Sequence, residues 1–458
     1  MKRKPFMALL LAASLTMGIP AAYAKDVPGP APQAQQAFDN KIVKRINVDN
    51  IYNDIKHLSS EPRVAGTEAE SRAAQYIESK FSSFGYETEI QPFTFESYQE
   101  PTISVTVADA AMTASNLTYT PNGEAAGELV YAGLGQASDL AGIDVTDKIV
   151  LIKRGDISFA DKVLNAAEAG ASAVIIFNNT TGSLNGTLGA PNDNFVPAVA
   201  LSQADGEKLA AFLADGQTIS ATVEVAGGGI LQQTSQNVVA VKKPTNKKKA
   251  TNQIIVVGAH HDSVPGSPGA NDDASGTATT IELARVMANM PTDTEIRFIT
   301  FGAEEVGLLG SYAYVESLSQ DERDRIVGMF QLDMVGSGDA GDLVMFTVDG
   351  EKNVVTDLAA AAGVRTANPL GYGQESRSDH VPFHNAGIPA ALFIHSPTEP
   401  WYHTPQDSLD KISKAKLQET AEIVGAAVYQ IARPDTPALE RAKVAPKPVQ
   451  YEKIVGGL

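Results

Sequence analysis

Residues 254–257 read Ile-Ile-Val-Val, four β-branched residues in a row that end at Gly258. Such a run suits a strand buried on both faces, and strands of that kind occur where helices cover both sides of a largely parallel sheet. No other feature of the chain narrows its fold as much. The residues that follow agree with it. Apolar positions at Ile281, Ala284 and Met287 predict a helix over 277–290, followed by strands at 296–301, 329–335 and 343–348. A helix at 353–362, a strand at 390–394 and a helix at 417–432 complete the series. This alternation specifies an α/β domain with a mainly parallel sheet flanked by helices. Upstream, Val48, Ile51, Ile55 and Leu58, then Ala73, Ile77 and Phe81, recur at helical spacing on either side of a turn-rich link at 61–67.

Residues 121–226 have a rhythm of their own. Strand candidates at 128–132, 148–153, 173–177 and 218–225 alternate with helical stretches at 159–170 and 203–215, as in an inserted α/β module with its own small core. Gly227-Gly228-Gly229 marks its exit, and the basic run 242–249 reads as a solvated loop. The expected organisation is therefore a discontinuous domain, 43–120 and 227–433, interrupted by the 121–226 insertion.

The two ends read differently. Lys2, Arg3 and Lys4, an apolar stretch over 6–17 and Ala22-Tyr23-Ala24 have the pattern of a secretory signal over 1–24. The stretch is short of the ~20 residues that span a bilayer. A Pro-, Ala- and Gln-rich leader over 25–42 and a Pro- and Lys-rich tail over 434–458 bracket the ordered part. The expectation is export, to the extracellular space or periplasm, as a soluble monomer without a membrane anchor. A net charge of −18 repels phosphate backbones and anionic lipid, which argues against nucleic acid or a membrane surface as partner. The chain has no Cys, so any transition-metal site must be built from imidazole and carboxylate.

Such side chains stand at the ends of the candidate strands, where open α/β sheets gather their ligands. Residues 254–257 run into His260-His261-Asp262, 296–301 into Glu304-Glu305, 329–335 carries Asp333, and 390–394 leads to Tyr402-His403. Asp272 and Asp273 lie in a Gly- and Ser-rich loop before a helix, and six of the seven His fall between 260 and 403. Zinc accepts His nitrogen and carboxylate oxygen, and two ions about 3.5–4 Å apart can share a carboxylate and a water. A further carboxylate must then move the proton, and Glu304-Glu305 offers a spare acid beside a ligand acid.

The motifs Ala259-His260-His261-Asp262-Ser263-Val264, Gly269-Ala270-Asn271-Asp272-Asp273, Gly302-Ala303-Glu304-Glu305-Val306-Gly307, Leu332-Asp333-Met334-Val335-Gly336 and Trp401-Tyr402-His403-Thr404-Pro405 occur in one order. In this the chain resembles the co-catalytic dizinc aminopeptidases, specifically secreted bacterial members with an inserted protease-associated domain. The likeness runs over nearly all of residues 43–432. It implies a phosphorylase/hydrolase-like fold with a mixed, mainly parallel sheet, and it identifies 121–226 with the protease-associated domain, which in the family lies over or beside the cleft.

The resemblance further implies two zinc ions per chain. Asp272 bridges them, His260 and Asp333 complete one site, and Glu305 and His403 complete the other. Glu304 is the implied general base, which activates a water between the ions and later protonates the leaving amine. Asp262 orients His260, while Tyr402 and Arg377 stabilise the oxyanion or position substrate. His261 reads as a neighbour of the site, and His380 and His384 as structural residues. The implied activity is removal of N-terminal residues from peptides with a free N-terminus. The same ligands serve carboxypeptidases and dipeptidases, so ligand identity alone leaves that choice open. A glutaminyl cyclase, with one zinc, is disfavoured by five ligands, and an inactive binding module by the intact set.

Overall fold

The computed structural model describes residues 39–439 and Lys453. The signal expected over 1–24, most of the leader and most of the tail lie outside these residues. The described part divides into two compact units, one from residues up to 93 and from 234 onward, the other from 94–233.

The first unit is built on an eight-stranded sheet. In chain order its strands are β1 (Glu87–Gln99), β2 (Gly229–Lys242), β3 (Ile254–His260), β4 (Glu295–Phe301), β5 (Ile326–Leu332), β6 (Asp342–Thr347), β7 (Gly371–Gln374) and β8 (Ala390–Ser396). In space they run β1-β2-β4-β3-β5-β8-β6-β7. β4, β3, β5 and β8 are mutually parallel neighbours, whereas β2 runs antiparallel to β4 and β6 antiparallel to β8, with β7 parallel to β6. β3 is where the strand order reverses, since it pairs with β4 on one side and β5 on the other. The carboxyl ends of the four parallel strands therefore lie at one edge beside a topological switch point, the place where such sheets bind ligands.

The β-branched run behaves as its composition demands, for every residue of β3 is buried. Ile255 and Val257 face a core shared with the helices Val48–Leu58, Ala274–Met287, Val354–Thr366 and Lys414–Ala432. Ile254 and Val256 face a second core, with Tyr314 and Phe383 from the helices Leu309–Ser317 and His380–Asn385. At about 25 cal/mol per Å² of apolar surface buried, two covered faces make this strand the centre of the unit's stability. The Ala274–Met287 helix starts earlier than its apolar pattern suggests, because Asp273 caps it by accepting the Gly276 N–H at 2.8 Å. β5 stops at Leu332, so Asp333 stands just beyond the strand and not within it.

The second unit centres on four parallel strands, Gly123–Tyr131, Ile149–Lys153, Ala173–Phe177 and Ala198–Leu201. Val150, Ile152, Val174 and Ile176 pack on the Phe159–Glu168 helix, and the alternate residues pack on Gln203–Ala214. Ser158 and Ser202 cap these two helices, each accepting an N–H from the third helical residue. The strands Thr102–Val107 and Ser220–Ala226 extend the sheet antiparallel. Among the described residues no helix is long and apolar enough to cross a membrane.

Candidate metal centre

Four strand ends deliver the site. His260 is the last residue of β3, Glu304 and Glu305 follow β4, Asp333 follows β5, and His403 lies on the loop after β8. Asp272 comes from the loop leading to the Ala274–Met287 helix. The backbone bends hard at three of these points: Ala303, Met334 and His403 have φ of 53°, 54° and 57°. Left-handed conformations cost non-glycine residues of order 1–3 kcal/mol and cluster where side chains must be aimed.

Asp272 lies at the centre. Its Oδ1 is 3.1 Å from His260 Nε2, and its Oδ2 is 3.1 Å from His403 Nε2. Asp333 Oδ1 is 3.6 Å from the same His260 nitrogen, and Glu305 Oε2 is 3.0 Å from the same His403 nitrogen. One carboxylate thus reaches two donor groups: His260 with Asp333, and His403 with Glu305. Glu304 stands close enough to His260 and Asp333 for all three donor atoms to lie within 4.8 Å. Among the described residues, however, its carboxylate makes no ion pair within 4 Å with either imidazole.

Four carboxyls and the His260 imidazole line a cavity of about 250 Å³, and His403 contacts two of those carboxyls. Burial lifts the Glu304 carboxyl well above the usual range; His260 opposes that rise, while Asp379, Asp333 and Glu305 add to it. Glu305 is pushed up to about 7, first by burial and then by Asp272. Burial would lower the His403 pKa, but hydrogen bonds to Asp272 and Glu305 outweigh it and raise the ring to about 10. His260 is raised likewise against its own burial, by Glu304, Asp333, Asp262 and Asp272. Asp272 is held low despite burial by the two imidazoles.

So much buried acid is costly without compensating positive charge. Asp333 Oδ1 and Glu305 Oε1 are buried and without hydrogen-bond partners, and His260 Nε2 faces Asp272 and Asp333. Oxygen and nitrogen donors left bare around a polar cavity are the set that divalent zinc accepts, so the residues fit two such ions.

The surrounding residues hold the donors in place. Ser378 Oγ donates to Asp333 Oδ2 at 2.7 Å, leaving Oδ1 toward His260. Asp262 accepts the N–H groups of Glu304 and Glu305 at 3.0 and 3.2 Å, and its Oδ1 also lies 3.5 Å from His260 Nδ1. It therefore anchors the loop after β4 as well as facing the imidazole. Asp273 Oδ2 accepts the His260 N–H at 3.1 Å, and its Oδ1 accepts the Met334 N–H at 3.1 Å.

Tyr402 stacks on His403 with ring centroids 3.8 Å apart and lines the cavity. Arg377 also lines it, with its guanidinium held by both oxygens of Glu375 at 2.9 and 2.8 Å. His261 is buried behind the site, its Nδ1 3.2 Å from Thr300 Oγ1, and His380 Nε2 lies 2.8 Å from the Glu375 carbonyl. Sequence reasoning did not single out Ser378, Glu375 or the bonds made by Asp273. The Arg377-Ser378-Asp379-His380 string was the signal available for the first.

The sequence profile of peptidase family M28 matches residues 237–428, and that of the PA domain matches 124–209. An aminopeptidase from Bacillus subtilis (strain 168), YwaD, is 39% identical over 439 residues, covering 93% of this chain and 94% of that protein. Among solved structures, an aminopeptidase from Aneurinibacillus sp. strain AM-1 superposes with a TM-score of 0.73 at 56% identity, covering 91% of this chain and all of that one. A zinc aminopeptidase from Bacillus subtilis, BSAP, gives a TM-score of 0.66 at 37% identity, covering 87% of this chain and 99% of its own.

Proposed function

The chain belongs to peptidase family M28, and from that premise we propose that it is an exported zinc aminopeptidase whose two ions are held by His260, Asp272, Glu305, Asp333 and His403. One observation carries the reading: the two oxygens of Asp272 are each 3.1 Å from a different imidazole, so a single carboxylate is placed between two donor groups. His260 and Asp333 would hold one ion, His403 and Glu305 the other. When bound, the pair supplies Lewis acidity, acidifying a water and polarising the scissile carbonyl.

The remaining chemistry falls to the chain. Glu304, buried beside His260 and Asp333 but in ion-pair contact with neither imidazole, takes a proton from the water as its oxygen bonds to the carbonyl carbon. It returns that proton to the amine nitrogen as the C–N bond breaks. A carboxyl whose pKa is raised by burial suits both halves of this exchange, because it can hold the proton near neutral pH. Asp262 fixes the Glu304 backbone while this happens. Tyr402 and Arg377 line the cavity, and in this reading they would contact the substrate carbonyl and the chain beyond it. The acids of the pocket attract a free α-ammonium, which favours substrates with an unblocked N-terminus. Residues 1–24 would direct export, and the acidic surface leaves peptides as the expected partners.

Digestion of a peptide library with and without chelator, and with free or acetylated N-termini, tests this. The expected outcome is release of N-terminal residues that chelation abolishes and zinc restores, with acetylated peptides resistant. Release from the C-terminus of blocked peptides would replace the aminopeptidase reading with a carboxypeptidase one.

A further inference from the structure

Asp272 can face both imidazoles only if its loop is held in one place. The peptide groups of that loop lie between two charged side chains that belong to neither donor group. On one side, Arg63 Nη1 donates to the Pro268 carbonyl at 2.7 Å, and Nη2 donates to the Gly269 carbonyl at 2.9 Å. On the other, the N–H groups of Asn271 and Asp272 donate to Asp407 Oδ1 at 2.7 Å and Oδ2 at 3.0 Å. The carbonyls before Asp272 thus point to a cation and the N–H groups at Asp272 to an anion.

Both side chains are 1% exposed, and among the described residues they form no ion pair with each other within 4 Å. Each is also tied elsewhere to the site. Arg63 Nε donates to the carbonyl of His261, next to His260, at 2.7 Å, and Arg63 Nη1 donates to Leu58 at the end of the Val48–Leu58 helix at 2.9 Å. Asp407 is four residues beyond His403, and its own carbonyl accepts the Ala270 N–H at 3.2 Å. The fit is tight: a Cβ on Gly269, whose φ is +60°, would lie 2.4 Å from the Asp272 carbonyl oxygen and 2.9 Å from Arg63 Nη2.

We propose that Arg63 and Asp407 are positioning residues that grip the 268–272 backbone from opposite sides and so fix the direction in which the two Asp272 oxygens point. A buried guanidinium whose four hydrogen bonds all go to backbone oxygens is an expensive way merely to fill space. What its planar fork provides, and an apolar side chain cannot, is simultaneous donation to the loops of His260 and Asp272. Residues that orient a ligand typically govern metal affinity by 10–100-fold.

The inference rests on the dizinc reading, and the test separates the two. Metal-free wild type, Arg63→Lys and Asp407→Asn are titrated with zinc against a chromophoric chelator, and kcat and KM are measured on an aminoacyl anilide. Lys keeps the charge and loses the fork; Asn keeps the shape and loses one of two acceptors. Wild type should take up two zinc ions, and uptake of none sinks the dizinc reading itself. Each variant should bind zinc about 10–100-fold more weakly, with kcat reduced and KM within about twofold of wild type. Folded variants that bind zinc as wild type does would overturn the positioning role. If Arg63→Lys fails to fold, Asp407→Asn alone decides; if neither folds, the pair serves the fold and not the ligand, and the proposal is overturned.

Discussion

At the scale of single residues, the division of labour between two adjacent acids is the point most open to test. Glu305 lies 3.0 Å from His403 and is a ligand candidate, whereas Glu304 is buried beside His260 and Asp333 and makes no ion pair within 4 Å with either imidazole. Glu304→Gln keeps volume and polarity but cannot accept a proton. It should retain zinc and lose at least ~10²-fold in kcat, which metal analysis and steady-state kinetics on the same preparation would check. His403→Ala should do the reverse at first, lowering zinc affinity before any question of proton transfer arises, as read by zinc content after dialysis. The ligand candidates were legible in the sequence because imidazole and carboxylate have few reasons to follow an apolar run. Arg63 and Asp407 were not, since they act on backbone atoms and no side-chain pattern records such partners.

At the scale of elements, the contact between the Ala274–Met287 helix and β5 sets how Asp272 and Asp333 approach each other. A Cβ on Gly276 would lie 2.3 Å from the Leu332 carbonyl oxygen and 2.6 Å from the Asp273 carboxylate. Gly276→Ala should therefore cost about 1–3 kcal/mol through overpacking, even though alanine favours helix, and urea unfolding of the metal-free protein measures it. Which elements the sequence disclosed follows from their burial. β3, β4, β5 and β8 announce themselves through apolar runs. β1 does not, because it is mostly exposed over Glu87–Gln99 and its residues are largely polar. β7 reads Gly-Tyr-Gly-Gln, which signals a turn. The Leu309–Ser317 helix hides because the small residues Gly310 and Ser311 make its close contact, Gly310 approaching Gly302 too closely to admit a Cβ.

For the whole molecule, two stability measurements follow. The hydrophobic cores contain none of the zinc-ligand candidates, so stripping the metal should lower Tm without abolishing cooperative unfolding. Calorimetry with and without chelator distinguishes that from loss of the transition altogether. The second concerns acid. His395 is buried with neither ring nitrogen hydrogen-bonded, and burial, aided by Lys416, pushes its pKa down to about 3. The unfolded chain takes up this proton near pH 6.5 while the folded chain does not, so stability falls as pH drops from about 6.5 toward 3. At pH 5 this one ring costs about 2 kcal/mol. His395→Leu should therefore narrow the difference in urea midpoint between pH 7 and pH 5, and an unchanged difference would remove His395 from the acid response. The spread of the donors along the chain has a further consequence. When a ribosome has released residues up to Ser396, every strand of the first sheet exists, yet His403 and Asp407 are still to come. Unlike the ligands of a zinc finger, whose capture of metal is the folding event itself, the full donor set would come together only after the last strand has been synthesised.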